Sequence, residues 1–178
     1  MSLSSSMQQQ IQAAASVLAG KSVWRCTRAA DMACFQFGQR RQVKNVRGND
    51  LEVGEYALRL QCPWRIVKDD QVVVAALDVY HPRPGHEDED GPEFDWEHAG
   101  NLFDERIVTF FENDTREYVV EKVLAGHAGA LRLLLQAEFW LEVCPCDSRQ
   151  GEHWRLFEPR SARDHFVVTG AGIGEPVE

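Results

Sequence analysis

From residue 22 onward, apolar residues return at every second position in short runs, broken by polar or glycine-containing gaps. That spacing marks half-buried strands. The most informative stretch is Tyr56–Tyr80, YALRLQCPWRIVKDDQVVVAALDVY, with two extended runs about a polar turn at Lys68–Gln71. In the first run Tyr56, Leu58, Leu60 and Cys62 share a face opposite Arg59 and Gln61, and Pro63 interrupts the ladder at an edge or bulge. The second run, Val72–Val79, is apolar on both faces and predicts a strand covered on both sides, near the middle of the structure. Residues 23–29 and 32–38 predict a hairpin, with Phe35 and Phe37 alternating with Cys34 and Gln36. A third strand over 41–46 precedes a loop at Arg47–Asp50. Runs at 117–124, 130–136, 138–144, 153–157 and 165–169 read as a β meander.

Two segments carry the helical period instead. Over 6–19, Met7, Ile11, Ala14 and Leu18 recur on one face, Ser5 or Ser6 can cap, and Gly20 stops the helix. Over 102–112, Asn101 caps, Asp104 and Glu105 suit the positive end of the helix dipole, and Phe103, Ile107, Phe110 and Phe111 make a buried stripe. Residues 82–97 lie between strand and helix signals. Pro82, Pro84 and Pro92 prevent regular structure there, and seven carboxylates crowd residues 87–97. This is an acidic loop, a lid or a disordered excursion. The whole predicts a single α+β domain over 1–178, mainly an antiparallel curved sheet or partly open β-barrel with two helices. Residues 1–6 are a disordered lead-in, with Met7 a candidate start, and 170–178 a flexible tail.

Composition narrows the function classes. A chain of 178 residues with 44% hydrophobic and 26% charged residues is ordinary for a soluble globular domain. Its net charge of −9 repels phosphate backbones, so nucleic acid is a poor partner. No apolar run nears the roughly 18 residues that span a bilayer. The start MSLSSSMQQQ lacks the basic stretch of a secretory signal. Five cysteines, an odd number, fit reduced thiols in a cytoplasmic protein.

Chemical motifs are weak. Gly170-Ala171-Gly172-Ile173-Gly174 has glycine spacing but no helix to follow it, as a dinucleotide loop requires. Asp88, Asp90, Gly91 and Glu97 fall on a calcium-loop pattern whose first position would be His86, a poor ligand; a solvated acidic loop fits better. Cys144 and Cys146, two apart on a strand, would face one way near His153, short of a four-ligand zinc site. Cys62 before Pro63, beside Arg65, is the one provocative thiol. Asp78-Val79-Tyr80-His81 at a strand end offers an acid–base group, although Asp78 better suits pairing with an arginine or capping the loop. Arg40, Arg41, Lys44 and Arg47 form a basic patch without stacking aromatics. Trp64 beside Arg65 has the composition of an exposed contact hot spot, and Trp96 is expected to be exposed too.

The pieces Arg28-Ala29-Ala30-Asp31-Met32, Phe35-Gln36-Phe37-Gly38, Leu60-Gln61-Cys62-Pro63-Trp64-Arg65, Asn101-Leu102, Trp154-Arg155-Leu156-Phe157 and His165-Phe166-Val167-Val168 together resemble a family of uncharacterised bacterial proteins. The resemblance spans about residues 23–170. It implies a bacterial cytoplasmic domain and transfers no catalytic residue. That family commonly carries an apolar residue, Pro and Asp after the strand at Leu141–Val143, where this chain reads Cys144-Pro145-Cys146-Asp147, which sets its two thiols apart.

The function expected from these observations is a non-enzymatic binding or interaction protein, such as an immunity or accessory factor. Its partner would be another protein or a second copy in a homodimer, with weak binding candidates Trp64, Arg65, Cys62, Asp78 and His81. The alternative is a small-molecule or metal-dependent enzyme with its site at the same strand ends. No catalytic residue, cofactor or resident metal is implied.

Overall fold

The structure, a computed structural model, describes residues 6–86, 88 and 94–175. It is an α+β fold, a curved and open antiparallel sheet with two helices. The strands are β1 (Ser22–Ala29), β2 (Met32–Phe37), β3 (Arg41–Lys44), β4 (Asp50–Val53), β5 (Tyr56–Leu60), β6 (Trp64–Lys68), β7 (Gln71–Ala75), β8 (Tyr118–Ala125), β9 (Leu131–Leu135), β10 (Phe139–Val143), β11 (Glu152–Phe157), β12 (Phe166–Thr169) and β13 (Gly172–Gly174). Helix α1 spans Met7–Ala15 and α2 Leu102–Phe110. Eleven strands form one sheet in the order β13-β12-β11-β5-β2-β1-β8-β9-β10-β6-β7, and β3–β4 is a separate hairpin.

The sheet has two halves. They meet where β1 and β8 pair through Ser22–Val119 and Val23–Tyr118 alone. Beyond that contact the strands splay, and the sheet curls over a shared core. Trp64 of β6 meets Phe35 of β2 edge-on at 5.0 Å between ring centres, and Phe103 of α2 at 5.9 Å. Edge-to-face rings at these separations add to the area they bury.

The helices fill the gaps left by the splay. Ser6 caps α1, its hydroxyl accepting from the Gln9 N–H while the Gln9 side chain accepts from the Ser6 N–H. The glutamines of α1 then serve as a substitute strand. Gln12 accepts from the Ala125 N–H at 2.9 Å and donates to the Val123 carbonyl at 3.1 Å, and Gln8 donates to the Ala125 carbonyl at 2.8 Å. These are the main-chain groups of β8 that lost β1, and buried main-chain polar groups need such partners. Asn101 caps α2 by accepting from the Asp104 N–H at 3.0 Å, and the expected stripe of Phe103, Ile107 and Phe110 is buried, with Phe111 just beyond.

Several expectations are corrected. The run 56–67 is two strands, because Pro63 has no N–H for the ladder and the chain crosses there from one half to the other. Val72–Val79 is not a central strand. It ends at Ala75, whose N–H donates to the Asp78 carboxylate at 2.8 Å, and a 3-10 turn follows over Ala76–Tyr80. β7 is the outermost strand of its half, and Val72 is 54% exposed. The predicted meander is split, since β10 pairs with β6 whereas β11 pairs with β5. The tail is ordered through Gly174, where β13 pairs with β12; Pro176–Glu178 lie outside the described residues. Cys144 and Cys146 are exposed and follow the end of β10 at Val143, so no strand aligns their thiols.

Candidate functional site

The residues expected to bind are scattered in role. Trp64 is 3% exposed and lies in the core, so no exposed indole forms a hot spot there. The cause is the crossover at Pro63, which turns Trp64 inward against Phe35. Trp96 is half-buried, its ring 4.9 Å from Tyr80. Arg65 is exposed and pairs with Glu142 at 2.8 Å, a carboxylate that also takes Arg132 at 3.1 Å. Cys62 is buried, and burial pushes its thiol up to about 12, far from the reactive range. Asp78 caps the turn after β7 through the Ala75 N–H, the second of the two roles expected for it, and no arginine pairs with it among the described residues. His81 lends its carbonyl to the Leu102 N–H at 2.8 Å, closing the base of the acidic loop. Among the described residues no hydrogen bond or ion pair joins any two of these five side chains.

Metal and nucleotide motifs fare similarly. Among the described residues no group of three or more His, Cys, Asp or Glu is placed to hold a metal ion. His153 faces Asp147 at 3.3 Å, and hydrogen bonds from Arg149, then from His153, hold the Asp147 carboxyl down at about 2. Asp90 and Gly91 of the calcium pattern lie outside the described residues. Among the described residues the glycine-rich end is the turn into β13 and the strand itself, not the start of a helix. No helix is long and apolar enough to cross a membrane among the described residues.

The feature with the geometry of a site lies elsewhere, between β1 and α2. After Val23 the side of β1 turned away from β2 has no strand beside it among the described residues. Ala30 and Asp31 form a two-residue hairpin loop, closed by the pair Ala29–Met32. Counting back from that pair by the antiparallel alternation puts Thr27 and Arg25 in hydrogen-bonded register with β2, and turns the N–H and C=O of Cys26 and Arg28 outward. Among the described residues, none of these four outward groups has a hydrogen-bond partner. They face an open groove of about 420 Å³ lined across the way by Phe103, Asp104, Ile107 and Val108 of α2. Phe103 and Ile107 make an apolar floor, and Val108, 47% exposed, stands at the lip.

One end of the groove is strapped by Arg28. Its guanidinium takes both oxygens of Asp104, at 2.8 and 2.9 Å, and donates to the carbonyls of Ala30 and His98 at 3.0 and 2.8 Å. Burial works to raise the Asp104 carboxyl, but hydrogen bonds from Arg28 and the Gly100 N–H outweigh it and hold the group below its ordinary value. Tyr80 adds a bond to Asp31 at 2.9 Å beside the same hairpin turn. The groove is therefore walled by α2, floored by apolar side chains and edged by main-chain donors and acceptors that have no partner among the described residues.

Sequence reasoning found both walls of this groove but not the space between them. Cys26, Thr27 and Arg28 fall inside the predicted first strand, and Phe103 to Val108 inside the predicted helix. The missing information was which strand flanks β1, and alternation cannot supply it. No family model, curated protein or solved structure matches this chain, so its functional reading rests on the geometry of the groove.

Proposed function

We propose that this chain is a non-enzymatic binding protein, an accessory or immunity factor in kind, that takes an extended segment of a partner protein into the β1–α2 groove. The segment adds as a strand to β1. Its main chain bonds the outward groups of Cys26 and Arg28, and its alternate side chains, apolar and small, pack toward Phe103 and Ile107. Strand addition of this type draws affinity from main-chain hydrogen bonds and specificity from side-chain pockets. The observation that carries the reading is the unpaired edge of β1, a row of main-chain groups beside an apolar helix face. The enzyme alternative has no comparable support, since Cys62, Arg65, Asp78 and His81 share no hydrogen bond or ion pair among the described residues.

The test is peptide selection. A random peptide library displayed on phage is panned against the full chain and against Val108→Arg, which places a long cation at the lip. The reading expects extended peptides with alternating apolar residues that bind the parent, slow amide exchange at Cys26 and Arg28, and fail on the variant. Failure to select any peptide, or equal binding by the variant, would overturn it. A homodimer in which a second copy donates the strand is a further outcome. It would sediment at twice the monomer mass and revert to monomer in Val108→Arg.

A further inference from the structure

A second site lies on the outer face of the first half of the sheet, away from the groove. The ladder sets Cys34 of β2, Arg59 of β5 and Arg155 of β11 directly across from one another. Like charges opposite each other on adjacent strands repel. Arg155 is neutralised locally. Its Nε donates to Glu152 at 2.7 Å, its Nη2 bonds the other carboxylate oxygen, and its Nη1 donates to His165 Nδ1 at 3.0 Å. An arginine can only donate, so Nδ1 of His165 is the acceptor and carries no proton.

Arg59 has no such relief. Among the described residues its side chain makes no ion pair or hydrogen bond, and its Nε is buried without a partner. The sequence holds 28 acids against 19 lysines and arginines, yet none of the described acids reaches this cation. The guanidinium lies 5.5 Å from the centre of the Phe157 ring, on which the His165 ring stacks at 4.6 Å. A permanent cation with a buried, unmet donor beside a second arginine is costly unless an anion joins it.

We propose that Arg59 anchors a binding site for a compact oxyanion, of the carboxylate or phosphate class, with Arg155 adding charge and Phe157 forming an apolar wall. The planar pair of Nη1 and Nη2, the guanidinium nitrogens that are not buried, matches two oxygens of such a group. This site is independent of the strand-addition groove and stands or falls separately.

The test uses the full chain, isotope-labelled for arginine Nε–H signals in NMR. Inorganic phosphate is titrated in one arm and acetate in another, with ionic strength held constant by sodium chloride. The proposal expects the Arg59 Nε–H signal to shift saturably in at least one arm, the responding arm naming the anion class. The signal of Arg163, a surface arginine paired with Glu158, should stay still. In parallel, the responding anion should raise the thermal midpoint of the parent and leave Arg59→Gln unmoved. An Arg59 signal unmoved in both arms, or the same midpoint rise in Arg59→Gln, would overturn the proposal. If Arg59→Gln does not fold, the titration of the parent decides alone.

Discussion

β1 and β8 part company after two residue pairs, and each leaves an edge behind. The two edges meet different fates. That of β8 lies against α1, whose Gln8 and Gln12 reach it with amide groups that donate and accept as a strand would. That of β1 lies across from α2, whose Asp104 is taken up by Arg28 and Gly100 and which otherwise presents Phe103, Ile107 and Val108. None of these last three side chains can bond a main-chain group. Natural sheets cover, shorten or charge their edges to avoid unwanted pairing. Here one freed edge is filled from within the chain, and the other is left beside an apolar wall. The chemistry of the facing helix decides which edge is scaffold and which is site.

The comparison can be broken at several points. The largest effect is expected from Phe103→Ala, which removes a buried ring that ties α2 to Trp64 and should cost about 3–5 kcal/mol in urea unfolding. A cost near zero would mean that α2 is not a fixed wall. Next is Gln12→Ala, which strands the Ala125 N–H and the Val123 carbonyl and should cost about 1–3 kcal/mol. Gln8→Ala loses one bond where Gln12→Ala loses two, so it should cost less; equal and negligible losses would remove the substitute-strand account.

Acid should loosen the Arg28–Asp104 strap. Asp104 has a folded-state pKa below its ordinary value, so its contribution is present above the unfolded value of about 4 and is lost as pH falls through the folded one. Asp104→Asn should therefore flatten the stability curve below about pH 4. An unchanged acid limb would show that the Arg28–Asp104 strap does not couple to folding. The smallest effect on stability is expected from Val108→Arg, within about 0.5 kcal/mol because the position is exposed. The same change should abolish peptide capture.

Much of this was legible in the residues. Period-two spacing located the first hairpin, and the pairing of Asn101 with the stripe of Phe103, Ile107 and Phe110 located α2. Three kinds of information were not local. Pro63 marked a break, but nothing in its neighbourhood said that the chain changes halves there, so Trp64 was expected at the surface and lies in the core. Val72–Val79 was apolar throughout, yet one carboxylate, Asp78, ends the strand by binding the Ala75 N–H. The site itself depends on the partner that β1 lacks. A missing neighbour leaves no mark on alternation, whereas its counterpart is met by Gln8 and Gln12, one helical turn apart in a helix that carries four glutamines.

Amide hydrogen exchange on the isolated chain, resolved by residue, tests this contrast most directly. The account predicts strong protection at Ala125, whose N–H is held by Gln12, and fast exchange at Cys26 and Arg28, whose N–H groups face the groove. Protection at Cys26 and Arg28 equal to that at Ala125 would contradict it, because the edge of β1 would then already be paired.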